Sequence, residues 1–182
     1  MKFSRILVLV LSIATALAVV GGSSAYADSL KKGDKEFLFA FDYSDIKFDE
    51  GGGDIKTTIL SGNFGYLITN GNEVGGLINY QKAEVTGEAT SDATIFGVFY
   101  NYNFKAGTNM NPYVGVSYAT IGGNYGDVFK DDIGARVGIK VYPWSNGGFN
   151  FGLGYDKLKG ESSNGVPDAK TTSAFAGINL KF

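Results

Sequence analysis

The chain has 182 residues with no Cys and no His, sixteen basic and eighteen acidic side chains, and 27 Gly beside fourteen Phe and eleven Tyr. The missing Cys and His exclude a disulfide framework, a thiolate site and the ordinary nucleophile–base pairs of acyl transfer, and a net charge of −2 argues against nucleic acid as a partner. Near-zero mean hydropathy with only three Pro fits neither a helical bundle nor a disordered tail.

The first 27 residues read as an export signal. Lys2 and Arg5 supply a positive start, Ile6 to Val20 is an apolar run of fifteen residues, and Ala25-Tyr26-Ala27 is a small-x-small cleavage pattern. That run falls short of the ~20 residues a transmembrane helix needs, and no Cys is available for a lipid anchor. Cleavage after Ala27 is expected to leave residues 28–182 as one domain, with fourteen basic against eighteen acidic side chains and a net charge of −4.

Period-two alternation then predicts strands along the whole domain. Glu36 to Asp45 sets Phe37, Phe39, Phe41 and Tyr43 against Glu36, Ala40, Asp42 and Ser44. After a polar loop to Asp54, Ile55 to Ile68 sets Leu60, Phe64, Tyr66 and Ile68 against Ser61, Asn63 and Gly65. Thr69-Asn70-Gly71-Asn72 is a tight turn whose Asn-Gly pair is expected to take positive φ, and Glu73 to Lys82 follows with Val74, Ile78 and Tyr80 against Gly75, Asn79 and Gln81. Beyond the loop Ala83 to Asp92, Ala93 to Phe104 opposes Phe96, Val98, Tyr100, Tyr102 and Phe104 to Gly97, Asn101 and Asn103.

Lys105 to Asn111 turns the chain and Pro112 is expected to open the fifth strand, with Val114, Val116 and Tyr118 against Gly115 and Ser117. A Gly-rich acidic loop to Asp131 precedes the sixth, where Ile133, Ala135, Val137, Ile139 and Val141 oppose Gly134, Arg136, Gly138 and Lys140. Pro143 to Gly147 reverses direction, and Phe149, Phe151, Leu153 and Tyr155 then oppose Asn150, Gly152, Gly154 and Asp156. Lys159 to Lys170 is the last long loop, before Thr171 to Phe182 places Ala174, Ala176, Ile178, Leu180 and Phe182 opposite Ser173, Gly177, Asn179 and Lys181.

These eight strands are each long enough for a tilted membrane strand, with short connections after even strands and longer polar ones after odd strands. A soluble lipocalin-type barrel shares the period but hides its aromatics inside; here the aromatic face carries almost no charge. The reading is therefore an all-β, eight-stranded antiparallel up-and-down transmembrane β-barrel. Phe37, Tyr66, Phe104, Trp144, Phe149 and Phe182 fall near one rim and Tyr43, Tyr80, Phe96, Tyr118 and Tyr155 near the other, as two aromatic girdles.

On the inner face Glu36, Lys140 and Lys181 lie towards one end and Asp42, Arg136 and Asp156 towards the other, mixed in sign at each level. A lumen this narrow is filled by side chains, so these charges are expected to pair across it and plug it, while the inward glycines make room for larger neighbours. The acidic runs Asp49-Glu50 with Asp54 and Asp127 with Asp131-Asp132 lack the spacing of a calcium loop and read as solvated charge; no metal site or cofactor is expected.

A strand with Ile178, Leu180 and a final Phe182 on its apolar face resembles the terminal signal of bacterial outer-membrane barrels, and the whole domain resembles the small OmpA/OmpX-type barrels. That resemblance implies the outer membrane of a Gram-negative bacterium, contact with its lipid and lipopolysaccharide, recognition by the outer-membrane assembly machinery, periplasmic termini and extracellular long loops. It also implies a non-enzymatic structural or surface-interaction role, through four loops containing Phe48, Val85, Tyr125, Val128, Phe129 and Val166, for a surface ligand the residues do not name. The alternative is a narrow, porin-like channel or transporter for a small or apolar solute.

Overall fold

A computed structural model describes residues 30–48, 55–84, 91–104, 109–124, 126–161 and 165–182. The export signal with Ala25 and Ala27 lies outside these residues, as do Asp49, Glu50, Asp54, Val85 and Tyr125. The described chain is eight strands: β1 Lys35–Phe48, β2 Ile55–Leu67, β3 Asn72–Glu84, β4 Ser91–Asn103, β5 Met110–Gly123, β6 Phe129–Trp144, β7 Gly147–Gly160 and β8 Ala169–Lys181. Each pairs antiparallel with its neighbours in sequence, and β8 pairs back onto β1 to close an up-and-down barrel.

Register fixes the shape of this wall. Following paired residues around the ring from Glu36 through Gly65, Gly75, Phe99, Ser117, Gly134, Asp156 and Thr171 returns to β1 at Ile46, ten residues further on. Ten residues of rise against eight inter-strand spacings tilts the strands by about 40°. At that tilt a 13-residue strand such as β2 covers roughly 33 Å along the barrel axis, more than the ~25 Å of an apolar membrane band. The strands accordingly run further from the termini than sequence alternation suggests: Lys47 and Phe48, Ala83 and Glu84, Ser91 and Asp92, and Phe129, Asp131 and Asp132 are ladder residues, not loop. The contrast between long and short connections shrinks, with residues 49–54, 85–90, 124–128 and 161–168 at one end and 68–71, 104–109 and 145–146 at the other.

Alternation places apolar side chains on the outside. Phe39, Phe41, Phe64, Ile78, Phe96, Val98, Val116, Ile133, Val137 and Ile178 are all exposed on the outer wall, while the residues between them are largely buried inside. Two irregularities between β6 and β7 reset this parity. Lys130 is an extra residue between the pairs Phe129–Gly160 and Asp131–Lys159, which turns Phe129 inward. Tyr142 and Pro143 face one residue, Gly148, between the pairs Val141–Phe149 and Trp144–Gly147, which turns Trp144 outward.

Three expectations change. Phe129 is fully buried in a cluster with Ile95, Ile121, Leu158 and Ala169 towards one end of the lumen, and Val128 and Val166 pack half-buried against that cluster, so they are not a surface freely presented by loops. Gly71 does not take positive φ, which among the described glycines occurs at Gly33, Gly123 and Gly165. Its turn is held instead by the Thr69 hydroxyl, which accepts from the N–H groups of Gly71 (3.3 Å) and Asn72 (3.0 Å). Pro112 lies inside β5, whose first residue is Met110.

The other end of the lumen is closed by Leu30, Leu67 and Tyr142. The segment before β1 folds across that mouth, with Gly33 N–H on Leu67 O (2.8 Å) and Leu67 N–H on Asp34 O (2.9 Å). Truncating Phe129 to Ala should leave a cavity in the opposite cap and destabilise the folded barrel by about 3–5 kcal/mol, read as a lower urea midpoint for the loss of its heat-dependent electrophoretic mobility; an unchanged midpoint contradicts the buried position.

Candidate functional site in the barrel interior

The inner wall holds its charge at two levels. At the level nearer the termini, Lys140 on β6 spans the lumen to Glu36 on β1 and Glu73 on β3, with its Nζ 2.7 Å from Glu73 Oε2 and in contact with Glu36 Oε2. All three are no more than 3 % exposed. One ammonium serves two carboxylates, and neutral donors supply the rest. Tyr142 OH donates to Glu36 Oε1, and Asn101 and Asn103 donate from Nδ2 to Glu73 Oε2 at 3.0 and 3.4 Å. Asn179 in turn donates to the Tyr142 hydroxyl at 3.2 Å, and Lys140 Nζ stands 5.5 Å over the ring of Tyr113, whose OH donates to Asn150. Lys181 lies beside this group at the rim, 3.7 Å from Asp34 and 5.8 Å above the Tyr142 ring.

The second level is built differently. Asp42, Asp132, Asp156 and Arg136 line one chamber with Asn79 and Thr171. Among the described residues no ion pair within 4.0 Å joins Arg136 to any of the three carboxylates, so the direct pairing expected of Arg136 with Asp42 and Asp156 is absent. Arg136 instead lies with its Cζ 5.6 Å from the Phe175 ring, and Ser61 donates to Asp42 Oδ2 at 2.9 Å. Buried Oδ1 atoms of Asp42, Asp132, Asp156 and Asn79, the Thr171 hydroxyl and Arg136 Nε have no protein partner.

Two cavities lie inside, each of about 30 Å³, one in the Lys140 network and one among the aspartates, and Arg136 lines both. That is room for about two waters in each. Glycine sets the space available. A β-carbon at Gly138 would stand 2.7 Å from the Tyr113 ring, one at Gly75 2.5 Å from Phe99, and one at Gly134 or Gly65 would collide with Asp156 or Glu73. Large inward side chains lie over glycines of the neighbouring strand, which is how a narrow wall closes around them.

Glu73, Asp132, Tyr113 and Tyr142 belong to the interior but are not among the charges picked out from the sequence. Glu73 and Asp132 share parity with the inward Gly75 and Gly134, and that was the available signal. The acidic run Asp131-Asp132 is split by the wall: Asp131 accepts from Tyr118 OH outside at 2.9 Å, whereas Asp132 lines the inner chamber.

Solved structures share this architecture. A de novo designed transmembrane β-barrel superposes with a TM-score of 0.56 at 14 % identity, covering 84 % of this chain and 98 % of its own. The chain has the fold of a small transmembrane β-barrel. Neisserial surface protein A (NspA) superposes with a TM-score of 0.57 at 15 % identity over 83 % of this chain and all of its own. No protein-family model matches the sequence, and no curated protein matches it.

On the transmembrane wall, Tyr66, Phe104, Trp144 and Phe182 are exposed near the terminal end, as Phe37 is, and Tyr80, Phe96, Tyr118 and Tyr155 near the other. Phe149 is half-buried between the Trp144 ring, 5.4 Å away, and Phe151, 6.3 Å away; the side chain of Tyr43 lies outside those described. Leu180 and Ile178 are exposed on the same outer face of β8 as Phe182.

Replacing Lys140 with Met should strand Glu36 and Glu73 without a countercharge and cost about 3–5 kcal/mol, measured by urea unfolding followed through Trp144 fluorescence. The triple variant Lys140→Met, Glu36→Gln, Glu73→Gln should regain most of that loss. A single variant as stable as the parent would mean the interior charges are individually hydrated.

Proposed function

We propose that this protein is a non-enzymatic integral barrel of a bacterial outer membrane, with its termini periplasmic, whose sealed wall holds four connections at the cell surface for a structural or surface-interaction role. The observation that carries the reading is the filled interior: apolar clusters lie towards both ends of the lumen and the two cavities between them are only about 30 Å³ each, so the charged groups of the inner wall are largely buried. The apolar outer wall supports membrane insertion, and the fold shared with Neisserial surface protein A supports surface display. The assembly signal at Phe182, Leu180 and Ile178, the aromatic girdles, the export signal ending at Ala27 and the partnership with assembly machinery and lipopolysaccharide belong to the same proposal.

The channel alternative requires continuous water through the caps. Purified protein in planar bilayers should give no steady conductance, and a conductance that rises with salt concentration would favour the channel instead. Topology has its own test. An epitope inserted among residues 162–164 should bind antibody on intact cells, and one inserted between Ser145 and Asn146 should bind only after the outer membrane is permeabilised; the reverse pattern overturns the orientation.

A further inference from the structure

The two ends of the lumen are closed by different kinds of residue. Away from the termini the buried cluster is built on strands, with Ile95, Ile121, Phe129, Leu158 and Ala169 all inside ladder segments, so none can withdraw without breaking strand pairs. At the other end Leu30 lies outside every strand. It is 2 % exposed, in a cluster with Leu67 and Tyr142, and is carried there by residues 30–34, a strap that precedes β1.

The strap is a local turn with one buried anchor. Asp34 N–H donates to Lys31 O at 3.0 Å, Lys31 N–H donates back to Asp34 Oδ2 at 2.9 Å, and Gly33 takes a φ of +95°. A β-carbon on Gly33 would meet nothing within 4 Å, so only its left-handed backbone calls for glycine there. Lys31 and Lys32 are exposed, which leaves Leu30 as the anchor. Backbone bonds complete the attachment: Lys32 N–H donates to Asn70 Oδ1 at 2.9 Å, Gly33 N–H to Leu67 O at 2.8 Å, and Leu67 N–H to Asp34 O at 2.9 Å. Paired ladder begins only at Lys35, which exchanges backbone bonds with Phe182 at 2.9 and 3.0 Å.

We infer that residues 30–34 are a hinged lid over the charged interior, anchored by Leu30, and that releasing the lid wets the Lys140 level from the side of the termini. Tyr142 couples the lid to the interior. It clusters with Leu30, while its hydroxyl donates to Glu36 and accepts from Asn179, and both of those residues line the cavity beside Lys140. Opening the lid costs one buried side chain and a few bonds at the edge of the sheet, which places the strap among the segments that open locally while the ladder stays intact. The Phe129 cluster is not disturbed by that motion, so the lid admits water to one level and opens no path through the barrel.

The test places a single thiol in this Cys-free chain. Ser117 lines the same cavity, and Ser117→Cys exchanges only its oxygen for sulfur. Silver ion, small enough for a water-sized path, is added to the folded protein in detergent, and the silver–thiolate adduct is followed by intact mass. With the strap unaltered the reaction should be slow. Leu30→Asn, which makes the anchor polar, and Gly33→Ala, which strains the turn without a clash, should each speed it about tenfold. Leu30→Met keeps an apolar anchor and should leave the rate unchanged. A thiol placed by Ala119→Cys in the far cluster should stay slow in every strap variant. Retained heat-dependent mobility shows that each variant is folded. Unchanged rates in both Leu30→Asn and Gly33→Ala would overturn the lid, as would an unaltered strap that reacts as fast as they do, and equal acceleration at Ala119→Cys would replace the lid with a general loosening of the barrel.

Discussion

Everything inside this protein depends on one constraint: eight strands closed with a shear of ten enclose a lumen just wide enough for side chains. Each inward position must therefore be matched to its neighbours in size and in charge. Size is matched by opposing glycine to a large partner, as Gly138 does for Tyr113 and Gly75 for Phe99. Charge is matched by letting Lys140 reach two carboxylates on different strands. An ion pair buried this deeply is dearly desolvated, and what makes it tenable is the set of neutral donors around it: Tyr142 on the second Glu36 oxygen, and Asn101 and Asn103 sharing Glu73 Oε2 with the ammonium.

The two levels of interior charge solve the same problem in different ways. Around Lys140 the protein supplies its own partners. Around Arg136 it does not: three aspartates surround one guanidinium without direct contact, and several polar atoms face a cavity large enough for about two waters. A bridging water completes such a group at little cost. Apolar clusters flank the charged levels, Phe129 and its neighbours towards one end and Leu30 with Leu67 towards the other.

The bulges show how much one residue can decide. Lys130 shifts the phase of β6 so that Phe129 enters the cap, and the Tyr142–Pro143 irregularity shifts it again at the other end, turning Trp144 to the outer wall while Tyr142 keeps the inward parity of Lys140 and meets Glu36. Without the first, an aromatic would stand outside and the lumen would lose the centre of its seal.

The sequence by itself determined the number and order of strands and, away from the two irregularities of β6, the face each strand residue takes, because a half-lipid, half-lumen strand imposes strict alternation and any slip would exchange the two faces. Glu73 was legible on the same ground, since it shares parity with Gly75. Only the tertiary structure decided which inward charges touch. Lys140 meets Glu36, 104 positions away, and Glu73, 67 positions away, because ten residues of shear bring them to one level, and no local pattern encodes a sum taken around eight pairings. The same holds for Arg136, which reaches the level of Asp42 and Asp156 yet makes no direct ion pair with either. The phase shifts in β6 were likewise hidden, since a bulge changes which face a residue takes without leaving a distinct mark in the residues on either side.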